Sequence, residues 1–106
     1  MRPNPGDLTL EDSVVLSEDV VMRELEGEAV LLDLQTSTYF GLDAVGTRIW
    51  QLLGTSSSLR KVFEVVLQEY DVEPEILERD LLDLTRQLCA KGLVLPARGA
   101  DPSDAD

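Results

Sequence analysis

Residues 31–43, LLDLQTSTYFGLD, restrict the folds open to this chain more than any other stretch. A short aliphatic run meets four small polar residues. A β-branched and aromatic run follows, and then an aspartate that opens a helical pattern. Two β-rich runs joined by so short a polar connection make an antiparallel hairpin. A second hairpin precedes it. VVMREL at 20–25 has strand composition, EGE at 26–28 supplies a turn around Gly27, and AVLLDL at 29–34 is the next strand. With QTST (35–38) as the following turn and TYFGL (38–42) as the third strand, the segment is a three-stranded meander. VVL at 14–16 is a further strand candidate.

The remainder is helical. Asp43 can accept hydrogen bonds from the free amides of a first helical turn. The helix at 44–53 gathers Val45, Ile49, Leu52 and Leu53 on one side, with Trp50 beside them, and Gly54 stops it. Gly46 weakens that helix and so points to close backbone packing. Ser58, or Ser57 before it, caps a second helix with an apolar stripe of Leu59, Val62, Phe63, Val66 and Leu67. Arg60 and Lys61 stand in its first turn, where the helix dipole prefers acids. The sequence offers no structural reason for them, and contact with an acidic partner is one functional reading. Pro74 suits the first turn of a third helix, which runs to about Lys91 and ends at Gly92. Leu77, Leu81, Leu84 and Leu88 form its expected core seam. Leu82, Thr85 and Cys89 flank the seam on one side; Ile76, Asp80, Asp83 and Gln87 flank it on the other. LVLP (93–96) closes the domain as a short extended piece. Residues 1–12 read as a loose arm, 13–96 as the folded domain, and 97–106 as a disordered acidic tail. The expected class is α+β, a three-stranded antiparallel sheet followed by three helices, in the manner of a winged helix-turn-helix.

Composition removes several functions. Nine basic residues against twenty-one acidic ones give a net charge of −12, which opposes nucleic acid and anionic membrane surfaces. The absence of histidine removes the usual general base and the commonest metal ligand. The lone Cys89 makes no internal disulfide and sits on a helix flank as buried filler. No phosphate-binding glycine loop and no nucleophile elbow occurs. The expectation is a protein that is not an enzyme, without metal or cofactor. It has no apolar stretch long enough for a membrane span and no signal peptide, so it is placed by default in the cytoplasm.

The ordered set LLDLQTSTYFGLD, VGTRIWQLL, SLRKVFEVVLQEYDVEPE and DLLDLTRQLCAKGLV resembles the PqqD-like family, the recognition elements of ribosomally made, modified peptides. As a free small protein, the chain looks like the leader-binding component of lasso-peptide biosynthesis. The likeness covers about residues 14–95. The family often has glycine where Thr36-Ser37 stands here, and acids where Arg60 and Lys61 stand.

The resemblance implies that the leader of a precursor peptide lies along the third strand, in a cleft beside the third helix. A separate partner enzyme, a leader peptidase or a cyclase, then cuts or modifies the tethered core. The strand TYFGL suits that role, because it has neither the charge nor the proline that usually blunts a sheet edge. On this account Thr38, Tyr39 and Phe40 supply strand contacts and Leu32 helps floor the pocket. Ile76, Asp80, Asp83 and Gln87 form the helix wall, with the two aspartates facing basic or hydroxyl groups of the leader. Phe40 reads equally as core, and Asp80 and Asp83 also read as a solvated face. Two other functions compete. An acidic carrier protein would need a serine at a helix start, and the only Asp-Ser pair is Asp12-Ser13, before a strand-like run. A winged-helix regulator would need a basic face.

Overall fold

The computed structural model describes residues 8–97. Its elements run β1 (Val14–Leu16), β2 (Val20–Leu25), β3 (Glu28–Asp33), β4 (Thr38–Leu42), α1 (Ala44–Leu53), α2 (Leu59–Glu69), α3 (Pro74–Ala90) and β5 (Val94–Pro96). The expected α+β class is realised: β2, β3 and β4 form a three-stranded antiparallel sheet in that order, and three helices follow.

Two turns set this meander. Glu26 and Gly27 both have positive φ, 53° and 86°, between the paired residues Leu25 and Glu28. Such a two-residue turn twists with the strands it joins. The second turn is built on the nearly buried Asp33. Its carboxylate accepts from the amides of Gln35 at 2.8 Å and Thr36 at 3.3 Å, while its carbonyl accepts from the amide of Ser37 at 2.7 Å. Ser37 lies in the left-handed region at φ 61°. Glycine takes up that conformation without the steric cost of a side chain.

The turn fixes the pairing Leu31↔Phe40, Leu32↔Tyr39 and Asp33↔Thr38. Because side chains alternate, Ala29 and Leu31 of β3 and Leu42 of β4 face the helices and are buried, with Phe40 half-buried among them. Leu32 and Tyr39 face the other way. The helices contribute Ile49, Trp50, Leu53, Leu59, Val62, Phe63, Val66, Leu77, Leu81 and Leu88 to the same core.

The N-terminal segment departs from expectation. Leu8 and Leu10, placed by their surroundings in a loose arm, are buried in the core. The segment is tied down by main-chain bonds from Leu59 N to Asp12 O at 3.2 Å and from Val14 N to Ser57 O at 3.0 Å. Arg60 pairs with Glu11 across this seam, so its position in the first turn of α2 has a structural reason. β1 then pairs antiparallel with β5, giving the C-terminal extended piece a partner in a second, two-stranded sheet. Residues 1–7 of the arm and 98–106 of the acidic tail lie outside the described residues. Ser13 sits in a bridge with Ser58 rather than at a helix start, which removes the feature a carrier protein would need.

Three substitutions test the second turn by urea denaturation. Asp33→Ala leaves two amides without their acceptor and lowers stability by about 1–3 kcal/mol, whereas Asp33→Asn keeps an acceptor oxygen and costs about 1 kcal/mol or less. Ser37→Gly relieves the left-handed backbone and raises stability by about 0.5–1 kcal/mol.

Candidate functional site

Among the described residues no strand pairs with the outer edge of β4, so its main-chain groups on that side have no sheet partner. Beside that edge an open groove of about 500 Å³ runs between β4, α1 and α3. Each wall follows from local sequence. α1 is held at its start by Asp43, whose carboxylate accepts from the amide of Gly46 at 2.8 Å. A Cβ on Gly46 would meet that carboxylate at 3.2 Å and the Leu42 side chain at 3.3 Å, so glycine permits the tight strand-to-helix corner. At the corner Leu42, Val45 and Ile49 form an apolar floor, joined by Leu77 of α3.

α3 forms the far wall. Its buried residues are Leu77, Leu81, Thr85 and Leu88, not the all-leucine seam expected from the sequence. Thr85 is fully buried, and its hydroxyl donates to the Leu81 carbonyl at 2.7 Å, so that group is not stranded. The seam is therefore rotated towards Thr85, and Leu84 turns into the groove. At about 100° per residue, Leu84 stands about 20° from Leu77 on the groove side, Asp80 about 60°, Gln87 about 80°, Ile76 about 100° and Asp83 about 120°. All five line the groove.

The eight expected site residues divide accordingly. Phe40, Ile76, Asp80, Asp83 and Gln87 come together around the groove. Phe40 serves both of its readings, packing on the core and lining the groove. Leu32 is a correction. It sits opposite Tyr39 on the sheet face away from the helices, so it cannot floor the groove; Leu42, Val45 and Ile49 do. Tyr39 is 69% exposed on that same outer face, so its side chain points away from the groove. The outer face carries an apolar row, Val21, Leu32 and Tyr39, in pairing register. Thr38 begins β4 outside the groove lining, and its hydroxyl accepts from that of Thr36 at 2.7 Å. Sequence reasoning missed Val45, Ile49, Val72 and Leu84 as groove residues. The available signal was the apolar face of α1, which is wider than one core contact needs.

The charges differ in commitment. Asp43 caps α1, and Asp83 pairs with Arg86 one turn along α3. Asp80 has neither a hydrogen bond nor an ion pair among the described residues. Away from the groove, Arg48 and Glu69 join α1 to α2 through two bonds of 2.8 and 2.7 Å. The arginine's hydrogen bonds hold the Glu69 carboxyl below the usual carboxylate range. Burial pushes the Cys89 thiol up, away from the thiolate that reactive cysteines need. Among the described residues no cluster of metal-ligating side chains occurs, and no helix is long and apolar enough to cross a membrane.

Residues 28–94 match the family model of coenzyme PQQ synthesis protein D, PqqD, over more than half of the chain. The chain belongs to the PqqD family. Two solved structures are similar to this PqqD-family chain. One is TbiB1 in complex with the TbiA(beta) leader peptide, 45% identical, with a TM-score of 0.70 over 76% of this chain and 93% of that one. The other is a lasso peptide synthetase B1 complexed with the leader peptide, 28% identical, with a TM-score of 0.70 over 79% of this chain and 99% of that one. No curated protein sequence matches the chain. The family match begins at Glu28, so it takes in β3, the β4, α1 and α3 elements that frame the groove, and α2, while β1 and β2 lie outside it.

The rotated α3 seam separates two leucines that sequence spacing treats alike. Leu88→Ala, at a fully buried site, costs about 2–5 kcal/mol. Leu84→Ala, at the half-open groove wall, costs less than half as much in the same thermal or urea measurement.

Proposed function

We propose that this protein binds the leader segment of a ribosomally made precursor peptide as a fourth strand on β4 and presents the attached core to a separate processing enzyme. The observation that carries this reading is an unpaired strand edge set beside an open groove with an apolar floor. A leader strand on that edge gains main-chain hydrogen bonds with β4. Its inward side chains then meet Leu42, Val45 and Ile49 below and the Ile76–Gln87 face of α3 beside them. The similar proteins held with leader peptides support leader binding as the function.

The protein contributes position, not chemistry. It has no histidine, burial pushes its cysteine thiol up, and among the described residues its carboxylates are exposed or engaged in the Asp33 turn, caps and ion pairs. Bond cleavage and ring closure fall to a leader peptidase and a cyclase of the lasso-peptide type, meeting the precursor in the cytoplasm. Holding the leader raises the effective concentration of the core at those enzymes. α3, which occupies the place of a recognition helix in a winged helix, carries Glu75, Glu78, Asp80 and Asp83 and repels a phosphate backbone.

Fluorescence polarisation with labelled TbiA(beta) leader peptide tests the proposal. Saturable binding is expected. Ile76→Asp, which places a charge on the apolar part of the wall, weakens binding more than about tenfold. Tyr39→Ser, on the outer face, costs less than about fivefold, the size of one cross-strand pair. N-methylation of alternate leader amides abolishes binding in one register and spares it in the other. Equal tolerance of both methylation registers, or binding indifferent to Ile76→Asp, overturns the strand-addition reading.

A further inference from the structure

We infer that Asp80 is the charge selector of the groove, and that the segment bound there carries one lysine or arginine at a fixed position between apolar residues. This rests on the leader-binding reading above and adds to it a chemical class of peptide.

Three carboxylates border the groove, and two are already satisfied. Asp43 is bound by the amide of Gly46 at 2.8 Å, and Asp83 is bound by Arg86. Asp80 has no partner among the described residues. It also stands nearer the floor than Asp83, about 60° rather than about 120° around α3 from Leu77. Its neighbours on the groove side are apolar: Ile76 one turn before it, Leu84 one turn after it, and Leu77 beneath. A peptide seated over those side chains covers Asp80 and strips water from it. An uncompensated carboxylate there opposes binding, while a guanidinium or ammonium group brought by the peptide turns the same position favourable. An exposed lysine or arginine stem also covers the apolar wall on its way to the carboxylate. The overall charge of −12 attracts basic peptides without regard to register, whereas Asp80 fixes where along the strand the cation must sit.

A displayed library of random peptides, roughly 12 residues long so as to span the edge, separates these effects. It is selected on the full chain and on Asp80→Lys, and the recovered sequences are aligned on their apolar positions. The wild-type protein is expected to enrich lysine or arginine at one position. Asp80→Lys is expected to replace it with aspartate or glutamate there, with the apolar positions unchanged. A wild-type-selected peptide then loses about three- to tenfold in affinity for Asp80→Asn, the range for a partly screened charge-assisted contact. Apolar preferences without a positioned cation, or a cation preference that survives Asp80→Lys, overturn the assignment and leave the groove standing as a peptide site. Recovery of no peptide, or of peptides whose binding is indifferent to Ile76→Asp, removes the leader-binding reading itself and the inference with it.

Discussion

The carboxylate of Asp33 decides which way the functional strand faces. It closes the turn between β3 and β4 by accepting two amides, and the chain re-enters the sheet with Phe40 opposite Leu31. Side chains in a strand alternate, so a shift of one residue would send Phe40 and Leu42 to the solvent face and Tyr39 and Gly41 to the helices. The groove would lose the apolar corner that joins its floor to the strand. A buried acidic group is costly unless its hydrogen bonds are made, and here the turn amides make them. The same group therefore stabilises the hairpin and sets the parity on which the site depends.

An open, uncharged strand edge is ordinarily a hazard, because any other extended chain can pair with it. TYFGL carries none of the usual guards. The guards stand one element away, on α3. A second copy of the protein presenting the same edge brings its own Asp80 and Asp83, and a net charge of −12, against identical charges. Self-pairing is thereby opposed while a peptide of opposite charge is not. The acidity that repels a phosphate backbone thus also protects the edge without blunting it.

Much of the fold was legible because its signals are local. β2, β4 and α1 begin and end where composition, turn residues and the Asp43 cap place them, and α2 and α3 start at Ser58 and Pro74 as expected. What sequence spacing missed depends on tertiary partners. Thr85 reads as a flank residue until the Leu81 carbonyl is available to take its hydroxyl, and only then does Leu84 move into the groove. Leu32 reads as pocket floor until pairing with Tyr39 fixes its face. Leu8, Leu10 and Arg60 depend on contacts between the N-terminal segment and α2, across about fifty positions of sequence that no local pattern spans. The groove wall was legible for a different reason. Helical geometry places Ile76, Asp80, Asp83 and Gln87 on one strip whatever else happens, and the only open matter was what that strip faces.

The site also has a thermodynamic shape. The β4 edge, the α1 corner and the α3 wall are held by the core, by the Asp43 cap and by the Arg48–Glu69 pair, so the protein loses little freedom when a peptide arrives. Nearly all the ordering falls on the peptide, whose backbone must become a strand. That cost sets a moderate affinity even for a well-matched sequence. A recognition protein on this plan discriminates by pockets along a common backbone ladder: the ladder is available to any extended chain, and the apolar floor with the single uncommitted carboxylate decides which chain stays. Moderate binding also serves release, since a peptide cut from its leader loses the tether and only the leader remains to be exchanged.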